Sequence, residues 1–276
     1  MKEKFKNAAR AMTKNDFIWE LMFPFVRIAT RFSIERAYWI PTKNCEADNT
    51  LRIVFADLKV KSGPFKNMLY PEFTAHGSYI FPKLLGSYEQ ELHPVIEKIC
   101  KNDYSEILDI GCAEGYYAVG LALKLPKAKV YAFDIDEKAL GSCKRMATSN
   151  GVYERIVFEP YCDSNTLKKF IFKRKGLIVC DCEGYETELF VDNVVDNLTN
   201  CDLLIELHDC LIAGITDKIL STFSDTHVAT LIFVERRNLN NYSELKTVNK
   251  FAREYALYEG RPSSMQWVYL ATKKRN

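Results

Sequence analysis

The chain has 276 residues, 47% of them hydrophobic and 27% charged, with a formal net charge of +2. That length holds one large globular domain and an accessory segment, and so small a charge gives no electrostatic ground for a nucleic-acid partner. No run of about 18 uncharged apolar residues is present, which excludes a spanning helix, and Glu20 and Arg27 interrupt the apolar run near the N-terminus, which argues against a signal peptide.

In chain order, residues 1–87 read as an accessory region of helices and a hairpin, and residues 88–276 as the main domain. A basic start (Lys2, Lys4, Lys6, Arg10, Lys14) precedes an aromatic stretch over 17–26, where Pro24 kinks or breaks any helix. The readings for it are helices packing on the main domain, or else a lid over the acceptor or a peripheral membrane contact. Residues 51–70 alternate loosely around Ser62-Gly63-Pro64, which predicts a hairpin. His76, Tyr79 and Tyr88 either line an acceptor pocket or belong to the core. A helix containing Glu89, Glu91, Val95 and Ile96 follows, and His93 before Pro94 marks a helix start.

The most informative residues are Asp109 to Tyr117, Asp-Ile-Gly-Cys-Ala-Glu-Gly-Tyr-Tyr. The pattern predicts a buried strand, a glycine turn and a helix, the arrangement that holds a nucleotide-like ligand at a strand's carboxyl end. A dinucleotide pyrophosphate needs a turn free of negative charge. Here Asp109 and Glu114 flank Gly111 and Gly115, which suits a ligand carrying a sulfonium and an ammonium group. S-adenosylmethionine (SAM) has both. The next strand, Lys129–Phe133, ends at Asp134-Ile135-Asp136, about 20 residues after the turn, where an acid grips ribose hydroxyls. A third strand, Ile156–Phe158, leads to Tyr161-Cys162-Asp163, placed to cap an adenine amino group.

Downstream the alternation continues. Strands are predicted at 176–180, 201–205, 228–234 and 266–271, and helices at 187–197 and 216–223. Residues 238–246 read as an exposed loop. Strands separated by helices predict a mostly parallel Rossmann-like α/β sheet with helices on both faces. The nine cysteines form no C-x-x-C pair, which suits reduced thiols in a cytoplasmic protein.

The chain resembles the class I SAM-dependent methyltransferases and, within them, the FkbM-like family. The resemblance rests on Asp109–Gly115, on Asp181-Cys182-Glu183-Gly184-Tyr185-Glu186 and on Glu206-Leu207-His208-Asp209. It runs from about Pro82 to the C-terminus and departs from the family at Asp134-Ile135, where members often carry Glu-Pro. It implies SAM as cofactor, bound by Asp109, Gly111, Glu114, Gly115, Asp134, Ile135, Asp163 and Asp181. It further implies an antiparallel closing strand pair and O-methylation of a saccharide or similar small-molecule or glycan acceptor. No nucleic acid is expected, and a homo-oligomer is compatible with the sequence.

The chemistry is expected beyond the carboxyl ends of the strands. A hydroxyl is a poor nucleophile near neutral pH and needs a base or a metal. His208, with an ordinary pKa of about 6.5, is the best single base. Asp181 and Glu206 stand near it in the pattern, and the three side chains together suit Mg²⁺ or Mn²⁺. The alternative for Glu183 and Glu186 is that they cap the next helix. Arg261, before the last strand, reaches either an acceptor anion or only solvent. Two other functional readings remain open: an N-methyltransferase acting on a small amine, and a non-catalytic SAM-binding regulatory module.

Overall fold

The computed structural model describes residues 44–261 and 265–273. The basic and aromatic N-terminal segment, with its lid and membrane readings, lies outside the described residues. Leu51–Asn276 forms one compact unit, and Met1–Thr50 is assigned to another. Residues 51–87, read from sequence as accessory, lie within the larger unit.

Helical residues 44–54 and the short helices α1 (Ile80–Leu85) and α2 (His93–Ile99) precede the sheet. The alternation then runs β1 (Glu106–Ile110), α3 (Tyr116–Lys124), β2 (Lys129–Phe133), α4 (Glu137–Ser149), β3 (Ile156–Glu159), α5 (Ser164–Lys169) and β4 (Gly176–Cys180). After β4 come α6 (Glu186–Leu189), α7 (Asp192–Leu198), β5 (Cys201–Leu207), α8 (Ile215–Phe223), β6 (His227–Phe233), α9 (Lys250–Ala256) and β7 (Gln266–Thr272). The sheet order is β3-β2-β1-β4-β5-β7-β6. The first five strands are parallel, and β7 enters antiparallel between β5 and β6.

Burial explains this layout. Every residue of β1, β4 and β5 is buried, as strands covered on both faces must be. Leu108, Ile110, Ile178, Leu203 and Ile205 pack with Leu189, Val194, Leu198, Ile215 and Phe223 on α6–α8 and the turn between α6 and α7. The alternate side chains Ile107, Leu177, Val179 and Leu204 are equally buried on the other face, where α3 packs against β1 and β2. The strand order reverses between β1 and β4, so a crevice opens at their carboxyl ends.

Several local expectations change. Residues 51–54 are helical, because Leu51 and Phe55, four apart, are both fully buried. The hairpin is confined to about 58–70, held by the Lys59–Leu69 bridge and by Val60 and Asn67 amide bonds across the turn. The helix expected over 187–197 breaks in two. Phe190 drives its ring against Phe223, 5.7 Å away, and the backbone leaves the helical region at Phe190 and Val191. Glu89 is no helix residue either; it sits in the left-handed region with φ 48° ahead of a single tight turn. The loop over 238–246 is partly packed, for Tyr242 and Leu245 are buried and the Tyr242 hydroxyl donates to Gln90 at 2.6 Å.

At the switch point, Gly111 (φ 82°) lies so close to β4 that a Cβ there would run into the carbonyl oxygen of Asp181. Gly111→Ala combines left-handed strain with a backbone clash, and a loss of about 2–6 kcal/mol is expected. Urea unfolding of the variant beside the wild type measures it.

Candidate active site

The crevice is a cavity of about 440 Å³, within the range of about 300–1,000 Å³ that ligand pockets occupy. Asp109, Gly111, Asp134, Ile135, Cys162 and Asp181 are among its lining residues. Asp134 closes the glycine turn: one oxygen accepts from the Ala113 amide at 2.8 Å and the other from the Asp136 amide at 2.8 Å. His76 and Tyr88 also line the cavity. Tyr79 does not; its ring packs on Tyr258, 4.9 Å between centroids.

Three residues expected at the cofactor are used elsewhere. Glu114 turns inward, where it accepts from Lys83 Nζ at 2.5 Å, Tyr70 Oη at 3.2 Å and the His76 amide at 2.9 Å. Its charge therefore ties residues 70–83 to the glycine turn and is spent inside the protein. Gly115 is the left-handed residue preceding α3 (φ 99°) and stands outside the cavity wall. Asp163 caps α5 by accepting from the Thr166 amide at 2.7 Å, which holds its carboxyl below the usual range through that residue's hydroxyl and amide. Tyr161 and Cys162 beside it do line the cavity.

Lys83 also lines the cavity, but its ammonium is paired with Glu114. Asp109 is buried with Oδ2 unpartnered. Burial, reinforced by the charges of Asp181, Asp134 and Glu114 against the pull of the Ala118 amide, raises its pKa to about 8. Burial likewise raises the Asp181 carboxyl, although His208 and Arg261 oppose the shift.

Behind Asp181 the structure brings together the residues the sequence singles out. His208 is fully buried. Its Nε2 lies 3.5 Å from Asp181 Oδ1, 3.5 Å from Glu183 Oε2 and 3.7 Å from Glu206 Oε2, distances too long for hydrogen bonds. Its Nδ1 is 2.5 Å from Glu186 Oε1. Burial disfavours the imidazolium, but the Glu186 hydrogen bond and the charges of Asp181, Glu186 and Glu183 outweigh it and raise the His208 pKa.

Glu186 is the residue that sequence reasoning undervalues. It was open to a capping role, and it does accept weakly from the Gly184 amide at 3.3 Å; its stronger bond is to His208. The signal was present in the Asp181–Glu186 element, but only the turn at Glu183 (φ 53°) and Gly184 (φ 100°) carries Glu186 back beneath β5. Arg261 is held by two acids of the chain. Its guanidinium pairs with Glu89 at 2.6 Å and with Glu206 Oε1.

A metal ion has a candidate home here. One ligand atom each from Asp181, Glu206 and His208 lies within 4.8 Å of the others, and His208 Nε2 and Asp181 Oδ1 are buried without hydrogen-bond partners. Two carboxylate oxygens and one imidazole nitrogen fit Mg²⁺ or Mn²⁺, and Arg261 occupies only the far oxygen of Glu206.

Residues 101–206 match a family model described as a methyltransferase domain. The match runs from just before β1 to the end region of β5, the strands that carry the glycine turn and the crevice. A release factor glutamine methyltransferase of Flavobacterium psychrophilum is 29% identical over 140 residues, covering 51% of this chain and 44% of that protein. One from Chlorobaculum tepidum is 46% identical over 56 residues, 20% of this chain and 19% of its own length. The chain thus spans less than half of these curated relatives. Among solved structures, an rRNA methylase of Streptococcus thermophilus aligns with TM-score 0.45 at 16% identity, over 67% of this chain and 97% of that one. The SAM complex of the O-methyltransferase TomG from Streptomyces achromogenes aligns with TM-score 0.47 at 13% identity, over 68% and 82%.

The expected partners are overturned by these names. The release factor enzymes, and a ribosomal protein L11 methyltransferase of Aliivibrio salmonicida that is 44% identical over 50 residues (18% of this chain, 17% of that protein), are named for protein substrates. The expectation of a small-molecule or glycan acceptor with nucleic acid excluded does not stand. Among the described residues, no helix is long and apolar enough to cross a membrane.

The Glu186 bond sets the charge of His208. In EDTA, the His208 ring is expected to titrate above the ordinary value of about 6.5, and in Glu186→Gln to move down, because burial then dominates. NMR titration of the ring proton checks both. The sign for stability follows. The raised pKa contributes stability that is complete below the unfolded value and lost as pH rises through the folded one, so the stability gap between wild type and His208→Asn narrows over that interval.

Proposed function

We propose that this protein methylates a protein side chain from SAM, at an atom that must lose a proton: a hydroxyl or a carboxamide. The observation that carries the reading is a pair of carboxyls in the cavity wall: Asp109, buried with Oδ2 unpartnered, and Asp181, whose Oδ1 makes no hydrogen bond although His208 stands 3.5 Å behind it. A sulfonium and an α-ammonium supply the charge they lack, whereas a nucleotide phosphate would be repelled. Asp134 holds the ribose, Gly111 lets the cofactor approach the backbone, and Ile135 and Cys162 flank the base. The Asp181–Glu186 element supports a place beside the FkbM-like enzymes, with Glu186 as the residue that orients His208.

Transfer from SAM is an in-line displacement with a good leaving group, so the protein's work is positioning and proton removal. Asp181 faces the cavity and takes the acceptor's proton. His208 stands behind it and stabilises that carboxyl in its charged form, and Glu186 fixes the imidazole's orientation. A protein acceptor is favoured over RNA because Asp134, Asp136 and Glu183, which is 72% exposed on its side chain, surround the entrance with negative charge. Phosphates are held by cations, not by such a rim.

A second reading is favoured by the close set Asp181, Glu206 and His208. These residues would hold a divalent cation, which lowers the pKa of an acceptor hydroxyl when bound. Glu186 would then orient His208 as a metal ligand through Nδ1.

Calorimetry with S-adenosylhomocysteine should give binding by wild type and a loss of about tenfold or more in Asp134→Ala; no binding by wild type sinks the proposal. With tritiated-methyl SAM in a cell extract, the transferred label should resist ribonuclease and yield to protease, and the reverse pattern overturns the protein acceptor. His208→Ala should lower turnover by about 10²–10⁴-fold with cofactor affinity retained. Activity abolished by EDTA and restored by Mg²⁺ or Mn²⁺ would select the metal reading, and activity indifferent to EDTA the metal-free one. Cofactor binding without any transfer would leave the regulatory module.

A further inference from the structure

At the cavity wall lies a pair of thiols, one lining it and one buried behind, that the transfer chemistry does not use. Cys180 is the last residue of β4, fully buried and fixed in the ladder between Ile110 of β1 and Ile205 of β5. Cys182, two residues on, is half-buried and lines the cavity. Their sulfurs are 3.5 Å apart, and the residue between them is Asp181. All nine cysteines of the chain are free thiols.

We propose that Cys180 and Cys182 form an oxidative modification site, converted by peroxide into a disulfide that disables the cavity. The Cys182 sulfur attacks a peroxide oxygen; an S–O bond forms, the O–O bond breaks, and the departing oxygen leaves as water with the thiol's proton. The Cys180 sulfur then attacks the sulfenic sulfur of Cys182; the S–S bond forms, the S–O bond breaks, and a second water departs with the Cys180 proton. Two thiols lose two electrons and two protons, and one hydrogen peroxide becomes two waters. Cys182 meets the oxidant because it lines the open cavity, and Cys180 resolves the product because it is already in contact.

The bond deforms the site because its geometry is demanding. Sulfurs now 3.5 Å apart must close by about 1.5 Å to a bond of about 2.05 Å. Cys180 is held by two neighbouring strands, so the movement falls on Asp181 and Cys182. The Asp181 amide donates to Ile110 O at 2.9 Å, its carbonyl packs against Gly111, and its carboxyl faces His208. Displacing it disturbs the cofactor turn and the proton acceptor together.

Reduced protein is treated with equimolar hydrogen peroxide, alkylated with iodoacetamide and digested with trypsin and a Glu-specific protease, which release residues 176–183 with Cys180 and Cys182 alone. This peptide should lose two hydrogens and take no alkyl group, and dithiothreitol should restore both alkylation sites. In Cys180→Ala, dimedone should trap a sulfenic acid on Cys182; in Cys182→Ser, neither product should form. Oxidation that spares 176–183 and falls on Cys112 or Cys162 overturns the proposal, as does Cys180→Ala without a trapped sulfenic acid. The mass readout is independent of the cofactor assignment. The functional readout rests on the SAM reading: oxidised wild type should bind S-adenosylhomocysteine at least about tenfold more weakly, and prior binding should slow the oxidation. A disulfide formed with affinity unchanged refutes the disabling effect alone, whereas absent binding in reduced protein refutes the SAM reading instead.

Discussion

The site depends on one close approach of two main chains. Where β1 and β4 end side by side, Gly111 stands against the Asp181 carbonyl with no room for a side chain. A parallel pair at a switch point sends its two connections to opposite faces of the sheet, so the ends of these strands are bare of covering helix. The glycine turn and the acidic turn become two walls of one cavity because of it. Asp134 closes one wall through the Ala113 amide; Glu183 and Gly184, both left-handed, fold the other back so that Glu186 reaches His208. Each turn has its own local strain, and the shared packing between them holds both.

Electrostatics divides the acidic residues into two kinds. Glu114, Glu89 and Glu206 are buried but answered, by Lys83 and by the two arms of Arg261. These pairs lock segments far apart in sequence to the rim of the cavity, and a buried pair specifies geometry more than it stabilises. Asp109 Oδ2 and Asp181 Oδ1 accept no hydrogen bond, and both residues line the cavity, with His208 3.5 Å behind Asp181. The protein has thus used its internal cations on the frame and left the negative charge of the ligand wall open, which is how a cationic ligand is favoured over an anionic one of the same size.

Much of the frame was legible in the sequence, for a physical reason. Strands β2 and β4 stand at the residues the pattern predicts; β4, buried on both faces, must be an unbroken apolar run, and Gly-Leu-Ile-Val-Cys admits no other reading beside its turn signals. His208 at the end of β5 was placed for the same reason. Glu114 was misjudged because sequence tells which residues share a turn, not which way a side chain points once Lys83, 31 positions away, is available to pair with it. Arg261 and Glu89 escaped similarly, being 172 residues apart. The break at Phe190 escaped because helical periodicity continues through it, while the ring's fit against Phe223 decides the backbone.

The position of β7 bears on how the molecule is made. This strand, the last in the chain, is an interior strand of the sheet, and β6 joins the sheet through β7. As the chain emerges from the ribosome at about 5–20 residues per second, β1 to β5 can pair while β5 keeps an open edge and β6 has no neighbour. The half of the sheet that carries the crevice can form early, but its outer flank waits for residues 266–272. Until they arrive, the backbone edges of β6 and of β5 are unpaired together, and a nascent chain stalled in that interval presents two unpaired strands to whatever chaperone or protease meets it first.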